Sequence, residues 1–187
     1  MSVRRSTELV VEMQLSAIRV PGEETEELAA AARRARVNCV IGCNELDDRP
    51  GSLTLYNTLV FLGRDGRLLG RHRKLMPTHS ERVYWGMGDA SDIRAFDMDI
   101  GRVGGLICYE HHMTLLRAAM AIKGEEIHCA VWPGWWTMER HLDAKRAAFT
   151  AAFRHPVLRV KNCSLWPKRS GCQQSCLDLP EKEKPAA

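Results

Sequence analysis

Residues 103–132 read as strand, cysteine, helix and strand. Val103-Gly104-Gly105-Leu106-Ile107 is a short apolar run, and it ends at Cys108-Tyr109-Glu110-His111-His112. Met113, Leu116 and Met120 then recur at spacings of three and four, which gathers them on one helix face. Lys123 falls in the last turn of that helix and Gly124 just beyond it, a normal stop. Residues 127–132, Ile-His-Cys-Ala-Val-Trp, form a second apolar run closed by Pro133-Gly134. A strand–helix–strand unit of this kind commits the chain to an α/β fold containing a parallel strand pair. Ligands of such sheets gather at the carboxyl ends of the strands, where Cys108 lies.

That position gives Cys108 its chemistry. A cysteine in mid-strand is a small hydrophobe. At a strand-to-helix turn its sulfur is exposed beside the unpaired N–H groups of the helix start, which favour thiolate over thiol. Cys108 is therefore the candidate nucleophile.

The rest of the chain supplies a scaffold. Residues 24–36 predict a helix with acids in the first turn and arginines in the last, complementing its dipole. Residues 37–44 and 54–62 predict strands, and Arg64-Asp65-Gly66-Arg67 predicts a hairpin turn into a strand over 68–75. Alternation along that last strand puts Lys74 on the face opposite Arg71 and Arg73. Residues 76–88 predict a loop, and residues 92–100 another short strand. Residues 1–20 show no clear strand. From about residue 141 the strand-and-helix rhythm is lost, and the acidic, proline-bearing tail within 162–187 is expected to be disordered.

With 187 residues the chain is long enough for one domain with a real core. No apolar run approaches the ~20 residues needed to span a membrane, and the first residues lack the apolar stretch of a secretory signal. Seven irregularly spaced cysteines argue for a reducing compartment, so a cytoplasmic location is expected. The net charge of +4 is spread along the chain, without the basic stripe that nucleic-acid binding requires. Cys39, Cys43, Cys163, Cys172 and Cys176 raise the question of zinc. On a strand, Cys39 and Cys43 would share a face but stand about 13 Å apart, too far to hold one ion. Neither a metal nor a cofactor is expected. The tryptophan-rich stretch 132–136 can line a pocket near the strand end or form a packed aromatic cluster.

Three segments together resemble the nitrilase (carbon–nitrogen hydrolase) superfamily, and nitrilase proper within it. They are Leu55-Tyr56-Asn57-Thr58-Leu59, then the segment 70–82 with Lys74 and Glu81, then Gly105-Leu106-Ile107-Cys108-Tyr109-Glu110. The similarity covers roughly residues 20–140. The resemblance implies an αββα sandwich, of which this chain would form part: an incomplete hydrolase domain over 1–140 and a divergent segment over 141–187. It implies Cys108 as nucleophile, Lys74 as the group that stabilises charge developing on the substrate heteroatom, and Glu81 as the partner that positions the lysine and assists proton transfer. The backbone N–H of Tyr109 would be a second donor to the same charge. The substrate would be a small nitrile or amide, and the chain a homo-oligomer.

Taken alone, Lys74 is an exposed strand-end lysine and Glu81 a surface acid. Glu110 reads as an acid stabilising the first helical turn, and His111 and His112 as half-exposed structural residues. The resemblance also implies a further glutamate, the general base, in an early strand that this sequence does not show. General base catalysis is worth roughly 10²–10⁴ in rate. Two functions follow as expectations: a nitrile-hydrolysing enzyme with weak or absent activity, or a non-catalytic remnant that acts by association with another chain.

Overall fold

The computed structural model describes residues 3–131, 160–162 and 173–177. Helix α1 spans Val3–Leu15 and α2 Glu23–Ala35. Strands β1 (Cys39–Leu46), β2 (Leu55–Leu62) and β3 (Leu68–Arg73) follow. Next come β4 (Phe96–Met98), β5 (Gly101–Ile107), α3 (Thr114–Ile122) and β6 (Ile127–Val131). Strands β7 (Val160–Asn162) and β8 (Gln173–Leu177) complete the described elements.

Among the described residues the strands form two sheets. One has the order β3-β2-β1-β8-β7 and the other β4-β5-β6. Strands β1, β2 and β3 pair antiparallel, and β5 pairs parallel with β6, with Val103 opposite Ile127 and Ile107 opposite Val131. The strand–helix–strand unit read from residues 103–132 is therefore present.

Three apolar clusters mark three layer interfaces. Ala29 and Ala32 of α2 pack with Ile41, Cys43, Val60 and Leu62 on the outer face of the first sheet. Val40, Leu59 and Phe61 point the other way, into a cluster with Val103, Ile107, Cys129 and Val131 of the second sheet. Leu106 turns outward again and packs on Leu116 and Met120 of α3. The period-two alternation of β2 and β5 thus generates helix, sheet, sheet and helix in that order. Cys43 is buried on the α2 side and Cys39 packs against the same cluster, so the two share a face as alternation requires.

Helix α2 follows its sequence signals. Glu23, Glu24 and Glu26 lie in its first turn and Arg33 and Arg34 in its last. The Gly22 N–H donates to Thr25 Oγ1 at 2.8 Å and closes its start. Two elements differ from expectation. Val3–Leu15 is helical although it has no acid in its first turn and no base in its last, so the usual end signals are missing. The strand expected over 92–100 is only Phe96–Met98. The Asp89 carboxylate accepts from the Ser91 N–H at 2.7 Å and winds Ala90–Asp92 into a 3-10 turn instead.

Within the segment read as divergent, 141–187, β8 pairs antiparallel with β1, Cys39 standing opposite Cys176. The acidic tail expected to be disordered, the boundary at residue 140, the stretch 132–136, Cys163 and Cys172 lie outside the described residues. No described helix is long and apolar enough to cross a membrane.

Candidate active site

Cys108 directly follows β5 and opens a 3-10 helix, Cys108–His112. Its φ of 53° lies in the left-handed region, which a side-chain-bearing residue enters at a cost of roughly 1–3 kcal/mol. The helix that follows the cysteine is thus a single tight turn, and α3 begins only at Thr114. The sequence placed Cys108 against an α-helix start. The short turn still presents leading N–H groups without intrahelical acceptors, that of Tyr109 among them.

Lys74 lies one residue beyond β3 and is 1% exposed. Its backbone N–H donates to the Asn57 carbonyl at 2.8 Å, and its own carbonyl accepts from the Gly88 N–H at 2.9 Å. Its ammonium donates to Glu81 Oε2 at 2.5 Å. Glu81 sits in a 3-10 turn, His79–Val83, and the same oxygen accepts from the Thr78 N–H at 2.6 Å. The two residues expected to act together are therefore an ion pair whose lysine is removed from solvent. Charge-assisted bonds in such surroundings are about twice as strong as neutral ones.

Glu110 links this pair to the cysteine, a role the sequence did not reveal. It is buried, and it also holds its own turn as the sequence predicts, accepting from the N–H of Ile107, the residue that precedes that turn. One carboxylate oxygen accepts from the Leu75 N–H at 2.7 Å. The other accepts from the Ile107 N–H at 2.7 Å and faces His72 Nε2 at 2.9 Å. Leu75 follows Lys74 and Ile107 precedes Cys108. One carboxylate therefore joins the end of the lysine strand to the end of the cysteine strand. His72 shares the buried face with Lys74, while Arg71 and Arg73 point to the α2 side, where both donate to Glu45.

His111 also departs from expectation. It is buried, and its Nδ1 lies 2.6 Å from the Cys108 carbonyl oxygen. Its Nε2 lies 3.1 Å from His128 Nε2, and His128 Nδ1 lies 2.8 Å from Glu125 Oε1. His112 is exposed.

Burial, with His128 adding to it, depresses the His111 pKa from its ordinary 6.5 to about 3. An unfolded chain protonates this ring below about pH 6.5, whereas the folded chain resists until about pH 3. Stability from this group is fully present above the ordinary pKa and is lost as pH falls towards the folded one. The loss has a limiting slope of about 1.4 kcal/mol per pH unit. Urea midpoints taken at about pH 7 and about pH 4 check this. His111→Asn is expected to lose less stability between them than the parent chain, and equal losses would refute the assignment.

Cys129 faces Gly105 across the parallel pair. Burial, and then the nearby Glu125 charge, push its thiol up to about 12. It stays protonated at neutral pH, an inert neighbour to the cysteine at the strand end.

The sequence model of the carbon–nitrogen hydrolase family matches residues 9–177. Nitrilase 2 from an unknown prokaryotic organism is 44% identical over 135 residues, which are 72% of this chain and 42% of that protein. The bifunctional nitrilase/nitrile hydratase NIT4A of Lupinus angustifolius is 51% identical over 115 residues, 62% of this chain and 32% of its own length. Among solved structures, Nit3 of Saccharomyces cerevisiae, a member of branch 10 of the nitrilase superfamily, superposes with a TM-score of 0.60 at 25% identity. It covers 73% of this chain and 52% of Nit3. The chain thus spans less than half the length of these two sequence relatives.

Proposed function

The chain belongs to the carbon–nitrogen hydrolase family, and from that premise we propose that it converts a small nitrile to the carboxylic acid and ammonia. The observation that carries this reading is the ion pair of buried Lys74 with Glu81, tied through Glu110 to the turn that bears Cys108. Relatives named nitrilase, and one named nitrilase/nitrile hydratase, support the nitrile as substrate class.

Cys108 sulfur adds to the nitrile carbon while the thiol proton passes to Glu81 and, through the Lys74 ammonium, to the nitrile nitrogen. The product is a thioimidate. Water adds to its carbon, ammonia leaves, and a thioester remains. A second water releases the acid and restores the thiol, so one nitrile and two waters give one acid and one ammonia. Lys74 and the Tyr109 N–H face the charge that builds on the heteroatom, a contribution worth roughly 10²–10³ per donor in comparable sites. Glu81 serves both the lysine and the proton, which predicts slow turnover.

The alternative is a non-catalytic domain that acts by association. Leu115 and Ile122 on α3 are 86% and 85% exposed, which favours a partner on that face. A second copy of the chain is the partner we assign under either reading. The seven cysteines support a reducing, cytoplasmic setting.

Ammonia release from a panel of small nitriles decides between the readings, with Cys108→Ala alongside. Release that disappears in Cys108→Ala, a loss of at least about 10³-fold, is expected. No release from a protein shown to be folded by circular dichroism would leave the association reading.

A further inference from the structure

The buried ring of His111 touches the nucleophile's own backbone, and its partners fix its protonation. A carbonyl oxygen only accepts, so His111 Nδ1 carries the hydrogen donated to Cys108. The ring is neutral, so Nε2 is the bare nitrogen and accepts from the His128 Nε2–H. His128 Nδ1 in turn meets the Glu125 carboxyl at 2.8 Å. Glu125 has room because residue 104 is glycine: a Cβ there would collide with its carboxyl group and with the Met120 methyl. Three side chains from the 3-10 turn, β6 and the loop before it therefore end on one carbonyl.

That carbonyl belongs to a strained residue. At φ 53°, Cys108 holds its backbone where few residues rest, so its peptide needs an outside hold. The 108–109 peptide is planar and trans, so its N–H points away from its C=O. Pinning the carbonyl aims the Tyr109 N–H in the opposite direction.

We infer that His111 is a positioning residue: with its tautomer set by His128 and Glu125, it pins the Cys108 carbonyl and thereby aims the Tyr109 N–H at the charge that develops beside the cysteine sulfur. The inference rests on the nitrile-hydrolase reading for its consequence, and on geometry alone for the orientation of the peptide. His111 never meets the substrate. Leucine at this position fills the space but donates nothing. Asparagine places an amide N–H where Nδ1 stands and restores the bond without the link to His128.

The chain has three tyrosines, so ¹⁵N-tyrosine labelling yields three amide resonances, those of Tyr56, Tyr84 and Tyr109. In His111→Leu the Tyr109 resonance is expected to move while the other two hold, and in His111→Asn it returns close to the parent position. On a nitrile that the parent turns over, kcat should fall about tenfold to about 10²-fold in His111→Leu at unchanged KM, and recover in His111→Asn. A stationary Tyr109 resonance in His111→Leu, or all three resonances moving alike in both variants, overturns the inference. If His111→Leu does not fold, His128→Phe decides by the same reading, since it frees the His111 tautomer without touching the peptide. The expected resonance pattern in a chain that releases no ammonia would strike the nitrile-hydrolase reading and leave the positioning role intact.

Discussion

Glu110→Ala is expected to remove most of the chain's stability, at least about 3 kcal/mol, and to leave little soluble folded protein. The carboxylate accepts from two backbone N–H groups, of Leu75 and Ile107, and meets the His72 ring. Glu110 and His72 are both buried, so no water replaces the lost acceptor. Each buried donor left without a partner costs roughly 1–3 kcal/mol, and three are stranded together. Domains of this size have only about 5–15 kcal/mol to lose. Soluble yield and far-ultraviolet circular dichroism read the outcome.

Glu110→Gln provides the graded comparison. A glutamine keeps one accepting oxygen and turns its NH₂ towards a donor. The least costly orientation keeps Ile107 and His72 on the oxygen and strands Leu75 alone. A loss of about 1–3 kcal/mol is expected from the urea midpoint at constant m-value. A midpoint equal to the parent's would show that the carboxylate does not hold the two strand ends. Because those ends carry Lys74 and Cys108, the same change should reduce ammonia release more than it reduces stability.

The sequence made some of this legible and hid the rest, for reasons that differ by residue. The Cys108 turn was readable because an apolar run, a glycine pair and a helical period meet within one short segment, so local pattern alone places the cysteine at the end of a strand. The Lys74 face was readable from alternation, which set it opposite Arg71 and Arg73. Glu110 was read as an acid stabilising its own turn, and its bond from the Ile107 N–H does that; its wider role has no local signal. Its partners Leu75 and His72 lie 35 and 38 residues upstream, and only the packing of two sheets reveals them. His111 and His128 were hidden in the same way: one lies in the turn after β5, the other in β6, and the parallel pairing of those strands brings the two segments together. Helix α1 was missed for the opposite reason, since it lacks the terminal charges by which a helix announces its ends.

Glu45 is a second place where tertiary contacts set the role of an acidic side chain, and its removal has the other large expected effect. Alternation puts Glu45, Thr58, Arg71 and Arg73 on the α2 face of the first sheet, with Thr58 opposite Arg73 and Val60 opposite Arg71. The Glu45 carboxylate is fully buried and accepts from the Thr58 hydroxyl at 2.7 Å, Arg71 at 2.5 Å and Arg73 at 2.6 and 3.0 Å. Arg73 also stacks over the Tyr56 ring at 4.0 Å. Removing one partner of a buried ion pair costs about 3–5 kcal/mol because the other charge is stranded. The Arg71 and Arg73 side chains remain 24% and 13% exposed, so their heads recover some hydration. Glu45→Ala should therefore fall at the lower end, near about 3 kcal/mol by urea unfolding. The cause is separable from simple truncation by a double-mutant cycle. If stranded guanidinium charge is the cost, Arg73→Met must recover part of the loss in the Glu45→Ala background, so that the two changes together cost less than their sum. Strict additivity would mean that Glu45 contributes through packing alone. β3 leads directly into Lys74, so a variant that loosens Arg71 and Arg73 should also weaken the hold on the lysine. The expected sign is lower ammonia release from Glu45→Ala even under conditions where it remains folded.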